Sequence, residues 1–103
     1  MWIRIWEYEV HPGRADRFLA AYGGAGDWAQ LFASAPGHLG TALLRDVDRP
    51  GRFVTIDRWG GRGDWVAFLR GRQEDYDSLD AATSALTAAE VSLYEGPAPA
   101  PSP

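Results

Sequence analysis

The chain has 103 residues, a formal net charge of −4, 46% hydrophobic residues and five tryptophans. That size carries one core and one domain, and that hydrophobicity excludes a disordered chain. Cysteine is absent, which excludes disulfides, thiolate nucleophiles and Cys-ligated metal; an acidic chain whose ten side-chain cations are all dispersed arginines is a poor match to a phosphate backbone, so nucleic acid is not expected.

Trp2 to Val10 is rich in aromatic and β-branched types and reads as a first strand. It opens Met-Trp-Ile-Arg-Ile with charge already interspersed, and no apolar run approaches membrane-spanning length. The expectation is therefore a protein without signal peptide or membrane segment, cytoplasmic by default. His11-Pro12-Gly13 breaks the strand. Arg14 to Tyr22 then carries Phe18, Leu19 and Tyr22 on one helical stripe. Gly23 to Gly26 ends it as a conformational break. Asp27 is placed to N-cap a short piece with Trp28, Leu31 and Phe32 on one side, closed by Pro36-Gly37.

His38 to Asp46 reads as strand two, Asp48 to Gly51 as a turn, and Arg52 to Trp59 as strand three, the pair forming an antiparallel hairpin. Gly60-Gly61 stops strand three. A helix capped by Asp64 follows, with Trp65, Phe68, Leu69, Arg72 and Tyr76 on one side; a further helical piece is predicted over Ala81–Glu90, and a short fourth strand over Val91–Glu95. Residues 97–103 read as a mobile Pro/Ala-rich tail after a domain spanning 1–96.

The order β-α-β-β-α-β predicts an α+β, ferredoxin-like split βαβ: a four-stranded antiparallel sheet with its helices on one face. Strand three is apolar on both faces, since Phe53, Thr55, Asp57 and Trp59 alternate with Val54, Ile56 and Arg58. Helices cover one face only. A second copy of the chain, packed sheet against sheet, is the expected cover for the other, making a homodimer. Asp57 and Arg58 then point to different compartments. Phe53 and Trp59 share the face of Asp57, so Asp57 is expected on the helix side.

The segments Gly26-Asp-Trp-Ala-Gln-Leu-Phe32, Pro36-Gly-His-Leu-Gly-Thr41, Arg52-Phe-Val-Thr-Ile-Asp-Arg-Trp59 and Trp65-Val-Ala-Phe68 resemble the antibiotic biosynthesis monooxygenases, a superfamily of dimeric α+β barrels. The likeness runs from residue 1 to about residue 95. It implies a site inside each protomer, between sheet and helices. For the oxygenase branch it implies cofactor-free chemistry on an aromatic or polyketide-like molecule, in which the substrate carbanion itself delivers an electron to oxygen. That branch resembles a set of Asn, Trp, Tyr and Arg around a phenolic substrate. This chain holds Trp, Tyr and Arg72 on the second main helix but no Asn. The haem-degrading branch resembles an Asn–Trp–His set, and residues 73–78 supply no His, so haem is not expected.

Asp57 has two readings: a general base, or a carboxylate locked in a structural pair with Arg4, Arg45 or Arg58. His38 is either an exposed residue at the start of strand two or a proton-transfer group. Arg72 and Tyr76 complete the catalytic candidates. Trp6, Tyr22, Trp28, Phe32, Trp65 and Phe68, together with Tyr8, either line a flat ligand pocket or simply fill the core. Two histidines on separate elements make no metal site, and the acidic group Glu74, Asp75, Asp77 and Asp80 reads as a solvated helix face. Three functions remain open at this level: a cofactor-free monooxygenase, a non-catalytic ligand-binding or stress-responsive barrel protein, and an isomerase or cyclase.

Overall fold

The computed structural model describes residues 1–99. Its elements are β1 (Trp2–Val10), α1 (Ala15–Tyr22), α2 (Asp27–Ala33), β2 (His38–Arg45), β3 (Arg52–Trp59), α3 (Arg62–Thr83), a short 3₁₀ turn (Ser84–Leu86) and β4 (Thr87–Pro97). The strands form one antiparallel sheet in the order β2-β3-β1-β4. This is the ferredoxin-like arrangement that the order of elements predicts.

Register decides which side chains meet. Trp2, Arg4, Trp6 and Tyr8 of β1 stand opposite Trp59, Asp57, Thr55 and Phe53 of β3. Opposed residues share a face, so all eight point to the helices. Beneath the helices lies an aromatic core in which Phe18, Phe53 and Trp59 are fully buried. The rings meet tilted, edge-on or offset: Phe18 stacks on Tyr22 at 4.3 Å, and Trp59 meets Trp65 edge-on at 5.4 Å. Such geometries add about 0.5–1.5 kcal/mol per pair beyond the area that they bury.

Several local expectations change. Helix α3 stops at Thr83 rather than resuming over Ala81–Glu90, and β4 is longer than the predicted Val91–Glu95. The whole of β4 pairs with β1, from Val10 opposite Thr87 to Trp2 opposite Pro97. The backbone bonds of a central strand outweigh the helical propensity of Ala88, Ala89 and Glu90. The Thr83 hydroxyl bonds back to the Leu79 carbonyl and accepts the Tyr22 phenol, which ties the helix end to α1. Pro97 belongs to β4, and the Ala98 N–H donates to the Met1 carbonyl at 2.8 Å; residues 100–103 of the expected tail lie outside the described residues.

Gly26 and Gly61, not Asp27 and Asp64, occupy the N-cap positions of α2 and α3. A Cβ on Gly26 would come within 2.6 Å of the Ala20 carbonyl, so only glycine lets α1 and α2 turn so closely. Asp64 lies in the first turn of α3, wedged against Gly37; a Cβ there would fall 2.2 Å from its Cγ. The Gly60 N–H donates to the Gly37 carbonyl at 2.8 Å, closing the junction between the start of β2 and the end of β3.

The outer face of the sheet has no cover among the described residues. Leu44, Val91 and Tyr94 are exposed there beside half-buried Ile3, Ile5, Val54 and Ile56. Glu7 and Glu9 end this apolar field, and each is met by an arginine of the same chain, Glu7 by Arg52 and Glu9 by Arg49. Arg52 also bonds Asp46 at 2.9 Å.

Asp46 organises the β2–β3 turn, accepting the N–H groups of Asp48 and Arg49 at 2.8 and 2.9 Å. Those two bonds, reinforced by Arg52, hold its carboxyl below the usual carboxylate range. A carboxyl depressed on folding contributes stability above its unfolded pKa of about 3.9, and that contribution fades as pH falls through the folded value. Asp46→Ala is therefore expected to melt below the parent at neutral pH, with the two melting temperatures converging only in acid below about pH 4. A gap that persists unchanged at pH 2 would show that the carboxylate is not its source.

Candidate functional site

The inner face of the sheet and the helices enclose a partly open cavity of about 180 Å³. Its floor is β1, β3 and β2, which supply Arg4, Trp6, Tyr8, Thr55, Asp57 and Thr41. Its walls are Tyr22 of α1, Trp28 and Phe32 of α2, Tyr76 and Asp80 of α3, and Glu90 of β4. An apolar cavity of about 150 Å³ takes one benzene ring. The enclosed space thus holds a single ring, and a larger molecule would extend through the open side.

Asp57 is buried at the floor with 10% of its side chain exposed. Only one of its oxygens is anchored. Thr41 Oγ1 donates to Oδ1 at 2.6 Å, and His38 Nε2 lies 3.3 Å from that hydroxyl and 3.9 Å from Oδ1. Because Thr41 spends its proton on the carboxylate, its oxygen is left to accept from His38, which places the imidazole proton on Nε2. The three groups form a polarised chain from His38 through Thr41 to Asp57. Asp57 Oδ2 has no hydrogen-bond partner among the described residues and is not sealed from the cavity.

Arg4 stands directly opposite Asp57 in the sheet, yet the two make no ion pair within 4 Å. Its guanidinium lies 3.9 Å over the Trp65 ring, and its ion-pair partner is the half-exposed Glu95 at 3.4 Å. A desolvated cation–π contact of this kind contributes about 2 kcal/mol. Arg4 Nε, though 3.4 Å from Glu95, and Trp28 Nε1 are buried and form no hydrogen bond among the described residues.

The phenols of the pocket stay protonated. Burial pushes Tyr22 up to about 12, against a hydrogen bond with Thr83 that works in the other direction. Burial raises Tyr8 further, and raises Tyr76 with Arg4 opposing. All three are neutral at physiological pH. Burial also raises the Glu90 carboxyl.

Of the residues singled out from sequence, Asp57, Tyr76, Trp6, Tyr8, Tyr22, Trp28 and Phe32 converge on this cavity. His38 lies behind Asp57, off the cavity wall; with 6% of its side chain exposed, and set between Phe32 and Trp59, it is not the exposed strand-start residue of the first alternative. Arg72 lies outside the site. The backbone of α3 leaves helical geometry at Arg72 (φ −132°, ψ 27°), and its side chain turns out to Asp75 at 2.7 Å and Ser34 at 2.6 Å. Trp65 and Phe68 are core residues behind the wall, Trp65 carrying Arg4 and Phe68 packing on Trp59 and Phe32. Arg4, Thr41, Thr55 and Glu90 are in the site without having been expected there, and Asp80, read from sequence as part of a solvated helix face, lines its wall because its turn of α3 faces the sheet. For Arg4 a signal was present, because it shares its strand face with Trp2, Trp6 and Tyr8 just as Asp57 shares one with Phe53 and Trp59.

A single-domain ferredoxin-like protein with an aromatic pocket between sheet and helices is the class that this geometry defines. The chain belongs to the antibiotic biosynthesis monooxygenase family, whose model matches residues 1–75. Solved structures agree on the fold. A variant of SnoaB, a cofactor-independent oxygenase from Streptomyces nogalater, is 22% identical over 90% of each chain, with a TM-score of 0.72. A Bordetella bronchiseptica structure, provisionally described as an antibiotic biosynthesis monooxygenase, is 26% identical over 88% of this chain and 90% of its own, with a TM-score of 0.67. No curated protein matches the chain. No helix among the described residues is long and apolar enough to cross a membrane.

The anchoring of Asp57 is open to measurement. A hydrogen bond to a charged group contributes about 1.5–3 kcal/mol, so Thr41→Val should lower unfolding free energy by that amount in urea at neutral pH. In an Asp57→Asn background, where no charge needs the hydroxyl, the penalty should shrink to about 1 kcal/mol or less. Equal penalties in both backgrounds would mean that Thr41 does not hold the carboxylate.

Proposed function

We propose that this protein is a cofactor-independent monooxygenase acting on a small aromatic or polyketide-like molecule, with Asp57 as general base. One observation carries the reading: a buried carboxylate on the floor of a ring-lined cavity, fixed through one oxygen by Thr41, its other oxygen without a hydrogen bond among the described residues. Such a group takes a proton from an acidic C–H whose carbanion is stabilised by conjugation with a phenol or carbonyl. The electron pair left on carbon adds to dioxygen, one electron at a time, and forms a C–O bond. The resulting peroxide recovers the proton from Asp57, a second hydrogen leaves the same carbon, and the O–O bond breaks with release of water. A CH₂ and O₂ thus become a C=O and H₂O. The neutral phenols of Tyr8 and Tyr76 are the donors available to the peroxide, and His38, through Thr41, steadies the charge on Asp57. Tyr22 gives its proton to Thr83 and serves as wall.

The absence of asparagine means that hydrogen bonding to the substrate oxygen falls to other donors in this chain. A second reading, a barrel protein that binds an aromatic without turning it over, is favoured by the modest 180 Å³ of the cavity, since drug-sized ligands occupy about 300–1,000 Å³. Oxygen uptake separates the two. With a panel of anthrones and dihydroxynaphthalenes, in the absence of flavin and metal, the protein should consume oxygen, and Asp57→Asn should lower kcat by about 10²–10⁴-fold. No uptake with any member, or uptake indifferent to Asp57, sinks the oxygenase. Conversion of a substrate under nitrogen would instead indicate an isomerase or cyclase.

We also read the outer sheet face as the seat of a second copy of the chain, which would close two sheets into one barrel. Its support is the continuous apolar field of Ile3, Ile5, Val54, Ile56, Leu44, Val91 and Tyr94. Leu44→Arg should convert a dimer to a monomer in sedimentation equilibrium, and a parent chain that sediments as a monomer at micromolar concentration would remove this reading.

A further inference from the structure

Arg4 is a strong donor in the pocket that finds no full partner among the described residues. Its side chain is 10% exposed, its sealed Nε lies 3.4 Å from the 42% exposed Glu95 without forming a hydrogen bond, and among the described residues no other carboxylate comes within 4 Å and no side-chain hydrogen bond engages its terminal nitrogens. Burial of an arginine is costly unless its donors are met. Trp65 stacks on the guanidinium at 3.9 Å, and Arg4 lines the cavity together with Asp57, which stands opposite it in the sheet. An uncompensated cation next to a carboxylate with a free oxygen suits a group that arrives as an acid and stays as an anion.

We infer that Arg4 is the oxyanion-holding residue of this pocket, and that the ligand is a neutral one- or two-ring phenol or enolisable ketone bound as its conjugate base. The ligand's proton passes to Asp57, the electron pair stays on the ligand oxygen, and the guanidinium takes up the new charge in a charge-assisted hydrogen bond. No redox partner is needed for this step. Size limits the enclosed part to one ring. Charge limits the form in which the ligand enters. Asp80 of α3 and Glu90 of β4 face the same cavity as Asp57, and Glu95 flanks Arg4, so a preformed carboxylate approaches an acidic wall while a neutral acid does not. The groups facing Arg4 are thus Asp57, Glu90 and Glu95 from the sheet and Tyr76 and Asp80 from α3. The inference rests on taking this cavity as the functional site, but it concerns binding and not turnover.

The probe is 4-nitrophenol, one ring whose phenolate absorbs in the visible and whose neutral form does not. Below the probe's own pKa, addition of the wild-type protein should bring up the phenolate band together with quenching of Trp6 and Trp28 fluorescence. Arg4→Gln should lose the band and bind about tenfold or more weakly, while Arg4→Lys recovers part of it. Glu95→Gln, at an exposed position that the fold tolerates, should tighten binding several-fold by freeing Arg4. 4-Nitrobenzoate should bind worse than the phenol. Quenching without the band, no binding by the wild type, a folded Arg4→Gln that keeps the band, or equal affinity for the benzoate would each overturn the inference. Should Arg4→Gln fail to fold, the wild-type spectrum and Glu95→Gln decide. A phenolate band in a protein that consumes no oxygen would uphold Arg4 and remove the oxygenase; oxygen consumption indifferent to Arg4→Gln would do the reverse.

Discussion

The pairing of β1 with β3 is the constraint on which the rest depends. Shifted by one residue, it would turn Arg4 and Asp57 to opposite faces and bring Ile3 and Ile5 under the helices. As built, it sets two opposite charges on adjacent strands beneath a roof of rings. Neither neutralises the other. Asp57 is held sideways through one oxygen by Thr41 from β2, and Arg4 is met in part by Glu95 from β4 and Trp65 from α3, so each outer strand serves the charge nearest to it without fully meeting it. Burying two charges without pairing them is expensive in a domain of this size. The tilted and edge-on rings from Phe18 to Phe68 supply the packing that tolerates it.

The fold was legible because its signals are periodic. Alternation marked β1 and β3, Gly-Pro clusters marked the turns, and helical stripes marked α1 and the first half of α3. β4 exceeds its local signal because Ala88, Ala89 and Glu90 favour helix, and the pairing with β1 that overrides this is a non-local fact. The same holds for α3. Its stripe from Trp65 to Tyr76 assumed a straight axis, and the departure at Arg72 turns that one residue out while Tyr76 returns to the inside.

The site was half legible. Alternation alone assigned Asp57 to the helix side, because its strand mates Phe53 and Trp59 had to be buried. Applied to β1, the same argument reaches Arg4, flanked by Trp2, Trp6 and Tyr8. That Asp57 would lean on Thr41 and not on an arginine was beyond the sequence. It depends on the irregular pairing between His38 and Gly40, which shifts β2 so that Thr41 stands opposite Asp57. A bulge of one residue has no compositional signature strong enough to read in advance.

The departure at Arg72 also divides the labour of α3. The half before it, with Trp65 and Phe68, is embedded in the core and clamped at its start by the Asp64 wedge between Gly37 and Gly60. The half after it carries Tyr76 and Asp80 over the cavity, and the Arg72 bond to Ser34 ties the joint to α2. The ceiling is fastened in its turn: Tyr76 meets Trp28 edge-on at 5.0 Å and Trp65 at 6.0 Å, and Thr83 takes the Tyr22 phenol. One continuous helix thus serves two surfaces, core before the joint and chamber roof after it, with no loop between them.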